Sequence, residues 1–200
     1  ERYKESCGNC PVLYGGGSEG DLSHRVFMKK LRLFDKTKIA FVGCSDWLTE
    51  CARNSRLLNG KNVLSIPNPI NTRLYCPGSK ETARKALSLP AGKKLLLFAA
   101  FRVTNKIKGI DYLCEAIRIF SKNNPDLCGN TALVAVGKEA EALAGMLPVE
   151  VYPLGYIASE RKMIEIYNAC DLFLIPTLQD NLPNTIMESI MICLLFLVKK

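Results

Sequence analysis

Residues 95–101 read LLLFAAF, seven apolar positions in succession with no polar alternation. A strand that is apolar at every position must be covered on both faces, which is the setting of a central strand in a parallel sheet. Parallel strands need long crossover connections, usually helices, and the sequence that follows supplies them. Apolar periodicity predicts a helix over 110–121, a strand over 132–136, a helix over 140–146, a strand over 149–152, a helix over 159–168, a strand over 172–175 and a helix opening at Asn184. Strands alternating with helices of about ten residues predict an α/β fold with a Rossmann-like doubly wound parallel sheet.

Upstream of this run the pattern is shorter. Asp21 is placed to cap a helix to about residue 34, with Leu22, Val26, Phe27, Leu31 and Phe34 as its apolar stripe. Residues 38–42 read as a short buried strand. Ser45 is placed to cap a helix that stops at Asn59 and Gly60, and 62–66 read as another strand. Pro67 and Pro69 then restrict themselves and the residues before them. This stiff segment is the expected domain boundary, dividing the chain into residues 1–70 and 71–200. A helix around Ala83, Ala86 and Leu87 follows it. Residues 1–20, with Cys7, Cys10 and a glycine-rich run, read as an irregular exposed lead-in.

Two hundred residues at 48% apolar composition are enough to bury a core. The net charge of +8 suggests an anionic partner, but the basic residues are scattered and not interleaved with aromatics, which argues against a nucleic-acid surface. Of the nine cysteines, Cys114, Cys170 and Cys193 fall in apolar patterns and are expected to be buried thiols. With no signal peptide at the start, a cytoplasmic setting is expected. Cys7 and Cys10 are either loop thiols or half of a zinc site that His24 with Cys44 or Cys51 would complete. The apolar run 190–198 is too short to span a bilayer.

Candidate chemistry gathers where strands end. After strand 172–175 comes a polar turn holding Asp180, Asn181, Leu182 and Pro183, then the helix from Asn184 that carries Glu188. Pro183 suits a first helical turn, and backbone N–H groups there form an anion site. Asp180 reads as a helix cap or as facing a sugar hydroxyl, and Glu188 as an acceptor for ribose hydroxyls. Arg102 ends strand 95–101 and Lys108 precedes Gly109 at a helix entry, so both cations reach the same sheet edge. Together they either clamp a diphosphate or form a solvated basic loop.

The span from Asp180 to Glu188 resembles the E-x7-E element of retaining GT-B glycosyltransferases of the glycosyltransferase 4 (group 1) type, in a bacterial polysaccharide branch. Further landmarks stand in family order: Ser45 to Leu48 with Ala52 to Ser55, Ile66 to Thr72, Arg102 with Lys108 and Gly109, Gly137, Gly155 with Tyr156, and Tyr167 to Asp171. The resemblance covers roughly residues 7–189. It implies a donor-binding domain preceded by the tail of an acceptor-side Rossmann-like domain. The implied reaction is transfer of a sugar from a nucleotide donor to a saccharide or lipid-linked acceptor, with retention and without metal or other cofactor. The implied catalytic residues are Arg102, Lys108 and Asp180. Arg102 and Lys108 also hold the donor, with Gly137 and Tyr156 at the base, Asn181, Leu182, Pro183 and Asn184 at the sugar and distal phosphate, and Glu188 at the ribose. Here Asp180 replaces the commoner Glu, shortening the reach by one methylene.

Two departures shape the expectation. The acceptor-side half is mostly missing, and residues 189–200 do not follow the family's small-residue continuation. The expectation is therefore a fragment with an aberrant or truncated end that has lost its closing strands, binds nucleotide weakly and turns over little. Its parent would work in cell-surface polysaccharide synthesis, in the cytoplasm with peripheral contact at the inner membrane face. The alternative is a nucleotide-independent module that self-associates through exposed apolar surface. A dinucleotide enzyme is disfavoured because G-x-G-x-x-G is absent.

Overall fold

A computed structural model describes residues 2–13 and 17–198. Part of the glycine-rich run of the lead-in, residues 14–16, lies outside the described residues, as do Lys199 and Lys200 at the tail. The chain forms two compact units, Glu1–Pro69 and Ile70–Lys200.

In the first unit, helices α1 (Leu22–Asp35) and α2 (Asp46–Arg53) accompany strands β1 (Ala40–Gly43) and β2 (Asn62–Ser65), which pair in parallel. Asp21 caps α1 by accepting from the His24 N–H at 3.0 Å. The Ser23 hydroxyl, with the Cys10 and His24 N–H groups, holds the Asp21 carboxyl well below the usual carboxylate range. Only Phe27 of the expected stripe is fully buried. The strand expected to be buried is half exposed, with Val42 at 56%, because a two-stranded sheet cannot be covered as a central strand is. Helix α2 ends at Arg53, short of the expected Asn59. Its Arg53 guanidinium donates to the Val63 carbonyl at 2.9 Å, and turns carry the chain to Gly60, where φ is +72°.

The second unit contains α3 (Lys80–Ala86), β3 (Lys94–Arg102), α4 (Ile110–Asn123), α5 (Pro125–Gly129), β4 (Thr131–Lys138), β5 (Glu150–Gly155), α6 (Glu160–Ala169), β6 (Leu172–Ile175), α7 (Asn184–Met191) and β7 (Leu195–Val198). The five strands lie in the order β5-β4-β3-β6-β7, all parallel. The sheet carries a core on each face. Leu95, Leu97, Val134 and Phe173 pack with Ala83, Ile166 and Tyr167. Phe98, Leu133 and Ala135 pack with Leu113, Cys114, Ile117 and Leu143. This two-sided burial is what the unbroken apolar run of β3 requires.

Three expectations are corrected. Residues 140–146 form only a single 3₁₀ turn, Ala140–Leu143, because Glu139 before it and Gly145 after it both take left-handed backbone. Of the closing strands expected to be lost, one is present: Cys193, at φ +58°, ends the helical turn and residues 195–198 pair in register with β6, Leu172 opposite Leu195 through Ile175 opposite Val198. Cys193 is exposed at that turn, whereas Cys114, Cys128 and Cys170 are buried. Among the described residues no helix is long and apolar enough to cross a membrane.

The amino edge of the sheet is tied by Asp171. Its carboxylate accepts from Lys80 Nζ at 2.8 Å, Arg84 Nη2 at 2.7 Å and the Leu95 N–H at 2.7 Å. Burial pushes this carboxyl up, but the two cations and the N–H outweigh it and hold it below its ordinary value. A depressed folded-state pKa stabilises the fold above the unfolded value of about 4 and loses that contribution as pH falls through the folded value. The urea midpoint is therefore expected to drop as pH is lowered below about 4, and Asp171→Asn, though less stable at neutral pH, should show a shallower drop. Parallel slopes for the two proteins would exclude Asp171 as a contributor.

Candidate functional site

The strand order reverses between β3 and β6: β4 and β5 lie on one side of this pair and β7 on the other. In open α/β sheets the crevice at the carboxyl ends of two such strands is where ligands bind. Residues 102–109 leave β3 and residues 176–183 leave β6, so both loops border this point.

The two loops are tied to each other. The Asn105 side chain accepts from the Ile107 N–H at 3.0 Å and starts a 3₁₀ turn, Lys106–Lys108. The Ile107 carbonyl accepts from the Leu178 N–H at 2.8 Å and from the Thr177 hydroxyl at 3.3 Å. Gly109 ends the turn at φ +78° and begins α4, so close to β6 that a Cβ would stand 1.9 Å from the Pro176 carbonyl oxygen. Only glycine satisfies both the backbone conformation and the approach.

This stitching places Lys108 against Asp180, Nζ to Oδ2 at 2.6 Å. Asp180 Oδ1 accepts from the N–H of Asn181 at 3.0 Å. Asp180 is thus not the helix cap. The cap position belongs to Pro183, which makes no side-chain capping bond and stands just before the first turn instead of within it. Asn181 and Leu182 form the loop, and Asn184 starts α7.

Arg102 ends β3 and pairs through Nη1 with Glu139 Oε1 at 3.1 Å, both side chains about half exposed. The Thr104 hydroxyl also donates to Glu139. Gly137 lies at φ +140° where β3 and β4 slip in register, and a Cβ on it would stand 1.9 Å from the Ala100 carbonyl oxygen. Its absent side chain therefore serves close strand packing. Tyr156, just past β5, meets Phe101 edge to face at 5.4 Å between ring centroids. Lys138 Nζ lies 4.5 Å from the Phe101 centroid and 5.8 Å from that of Tyr156. The three side chains form a cation-topped aromatic shelf at the carboxyl ends of β3, β4 and β5.

Glu188 sits in α7 and accepts from the buried Tyr167 hydroxyl at 2.7 Å. Burial, and then the Glu188 charge, pushes the Tyr167 hydroxyl far above its ordinary range and that of Tyr75 up to about 12. Both tyrosines therefore stay protonated, and Tyr167 fixes one oxygen of the carboxylate.

The predicted residues thus fall into four contacts: Lys108 with Asp180, Arg102 with Glu139, Tyr156 on the aromatic shelf, and Glu188 on Tyr167. Phe101, Lys138, Glu139 and Thr104 were not predicted. Lys138 and Glu139, polar residues directly after a buried run, were the available signal. At the lead-in, His24 Nδ1 lies 3.1 Å from the Cys7 carbonyl oxygen, and among the described residues no group of three or more His, Cys, Asp or Glu side chains is arranged to hold a metal ion.

The family model described as glycosyl transferases group 1 matches residues 92–198, running through β7, the segment expected to depart from the family pattern. Among solved structures, WaaG, a glycosyltransferase involved in lipopolysaccharide biosynthesis, is 27% identical with a TM-score of 0.54, over 68% of this chain and 37% of that one. A sucrose-phosphate synthase from Thermosynechococcus elongatus shares the fold at 18% identity and a TM-score of 0.65, over 90% of this chain and 45% of that one. The C-terminal domain of a group 1 glycosyl transferase, LpcC from Francisella tularensis, aligns at 14% identity and a TM-score of 0.50, over 65% of this chain and 70% of that one. This chain thus spans less than half the length of the first two structures. A search of curated proteins gave no match. With more than half of its length matched by the family model, and with the Rossmann-like sheet of GT-B neighbours, the chain belongs to the group 1 glycosyl transferases.

Proposed function

We propose that residues 70–200 bind the nucleotide-sugar donor of a retaining glycosyltransferase, and that residues 1–69 are the end of its acceptor-side domain. The observation that carries this reading is the stitching of the β3 loop, which carries Arg102 and Lys108, to the β6 loop at the point where strand order reverses. Arg102 and Lys108 hold the donor diphosphate and stabilise the charge that develops on the departing nucleotide. Asp180, with the backbone of residues 181–184, faces the donor sugar, and Glu188, oriented by Tyr167, accepts the ribose hydroxyls. The shelf of Phe101, Lys138 and Tyr156 stacks the base, with Gly137 letting the strands close beneath it. No metal or further cofactor takes part.

The likeness to WaaG, a glycosyltransferase involved in lipopolysaccharide biosynthesis, supports a role in building cell-surface polysaccharide on a saccharide or lipid-linked acceptor. The work is done in the cytoplasm, with peripheral contact at the inner membrane face. Residues 1–200 alone bind donor weakly and turn over little.

Calorimetric titration with UDP and GDP tests the site. Arg102→Ala combined with Glu188→Gln, which keeps an acceptor for Tyr167, is expected to weaken binding about 10- to 100-fold, the worth of charge-assisted hydrogen bonds. Unchanged affinity in a variant with wild-type circular dichroism would refute the assignment.

A second reading, a nucleotide-independent self-associating module, rests on β7, an edge strand whose Leu195 and Leu197 are 73% and 59% exposed. Light scattering separates the two, since association through this edge should not respond to nucleotide.

A further inference from the structure

Where β4 ends, the chain turns through Glu139 at φ +64°, a left-handed conformation uncommon for residues bearing a Cβ. The turn delivers its carboxylate to Arg102 at 3.1 Å, with the Thr104 hydroxyl as a second donor. Arg102 is one of the two cations that the proposed function assigns to the donor diphosphate, and this inference rests on that reading. The guanidinium fork engages a carboxylate and a phosphate through the same N–H groups, so Glu139 occupies the place of a ligand oxygen. The side chains of Arg102 and Glu139 are 56% and 44% exposed, so the pair is screened by water and weak enough to exchange. Lys108 is held in the same way, by Asp180. Each of the two cations assigned to the diphosphate therefore rests on a carboxylate supplied by the chain itself.

We propose that Glu139 sets the affinity of the donor site: it competes with the ligand for Arg102 and so holds down binding of any ligand that engages this guanidinium. A nucleoside diphosphate brings enough charge, spread over two phosphates, to displace the carboxylate and engage both cations. A monophosphate that uses Arg102 must displace the same carboxylate at the same cost. The acidic side chain thus lowers affinity for both by about the same factor.

The test is titration of UDP, GDP, UMP and GMP into the wild-type chain and into Glu139→Gln, Glu139→Gly, Arg102→Ala and the Arg102→Ala/Glu139→Gln double variant. Glu139→Gln is expected to tighten binding of diphosphates and monophosphates alike, by about 2- to 5-fold. Glu139→Gly should do the same, and it suits the left-handed backbone, so strain cannot account for a failure. With Arg102 already removed, Glu139→Gln should give less than about a twofold change, because a competitor without its target has little effect. If Arg102→Ala weakens binding while both Glu139 variants leave it unchanged or weaker, Glu139 supports Arg102 instead of competing for it; the inference falls and the donor site stands. If Arg102→Ala changes nothing, or no protein binds any of the nucleotides, the donor-site reading falls and the inference with it.

Discussion

Arg84→Met is expected to cost the second unit about 3 kcal/mol or more, the usual penalty for breaking a buried ion pair from one side. Arg84 is only 6% exposed, and its donors are spread over five acceptors. Nε donates to the Ala169 carbonyl at 2.8 Å, Nη1 to those of Ala91 at 2.6 Å, Lys93 at 3.1 Å and Pro90 at 3.4 Å, and Nη2 to Asp171 at 2.7 Å. Methionine fills much of the volume but satisfies none of them, leaving four carbonyls and a partly buried carboxylate short of a donor. Those groups belong to the end of α6, the turn before β3 and the start of β6, so one side chain holds the amino edge of the sheet together. Against a total stability of about 5–15 kcal/mol the loss is large. Arg84→Lys should recover only part of it, since an ammonium cannot reach acceptors on several sides at once. Urea denaturation followed by far-UV circular dichroism measures the effect. Tryptophan fluorescence does not, because the single tryptophan, Trp47, lies in the first unit. A midpoint within error of wild type would show that the carbonyls find water instead.

Gly109→Ala is expected to cost about 3 kcal/mol, combining a left-handed backbone penalty of about 1 kcal/mol with a clash that only a shift of the main chain relieves. The clash is with the Pro176 carbonyl oxygen at 1.9 Å, which belongs to the backbone leaving β6 and has no rotamer to change. The consequence for the site follows from the Leu178 N–H bond to Ile107: pushing the loops apart strains that bond and draws Lys108 away from Asp180. Nucleotide affinity should therefore fall together with thermal stability. Gly92→Ala is the control. Gly92 has ordinary backbone, and no atom lies within 4 Å of a Cβ built there. It should stay within about 0.5 kcal/mol of wild type. Equal behaviour of the two alanine variants would remove the argument for close approach at Gly109.

The features visible in the sequence were those set by local pattern. The apolar run of β3 gave its central place in the sheet, and the ends of the apolar runs gave the edge where Arg102, Lys108, Tyr156 and Asp180 stand. Helix 140–146 failed because alanine and leucine favour a helix that the left-handed residues on either side cut to one turn. Strand β7 was missed because a four-residue apolar tail has no periodicity to distinguish it. Phe101 read as one more buried strand residue but is 62% exposed. The pairing of Arg102 with Glu139 could not be read at all, because it joins the ends of two different strands.

The slip between β3 and β4 bears on how this edge can vary. Ala99 faces Val136 and Arg102 faces Lys138, so three steps along one strand match two along the other. An extra residue of this kind reverses the in-and-out alternation beyond it. The orientation of Phe101 and Arg102 therefore depends on a count of residues as well as on their identity. Exchanging either side chain alters only that side chain's own contacts, whereas deleting a single residue before them would turn the whole tip of the strand over.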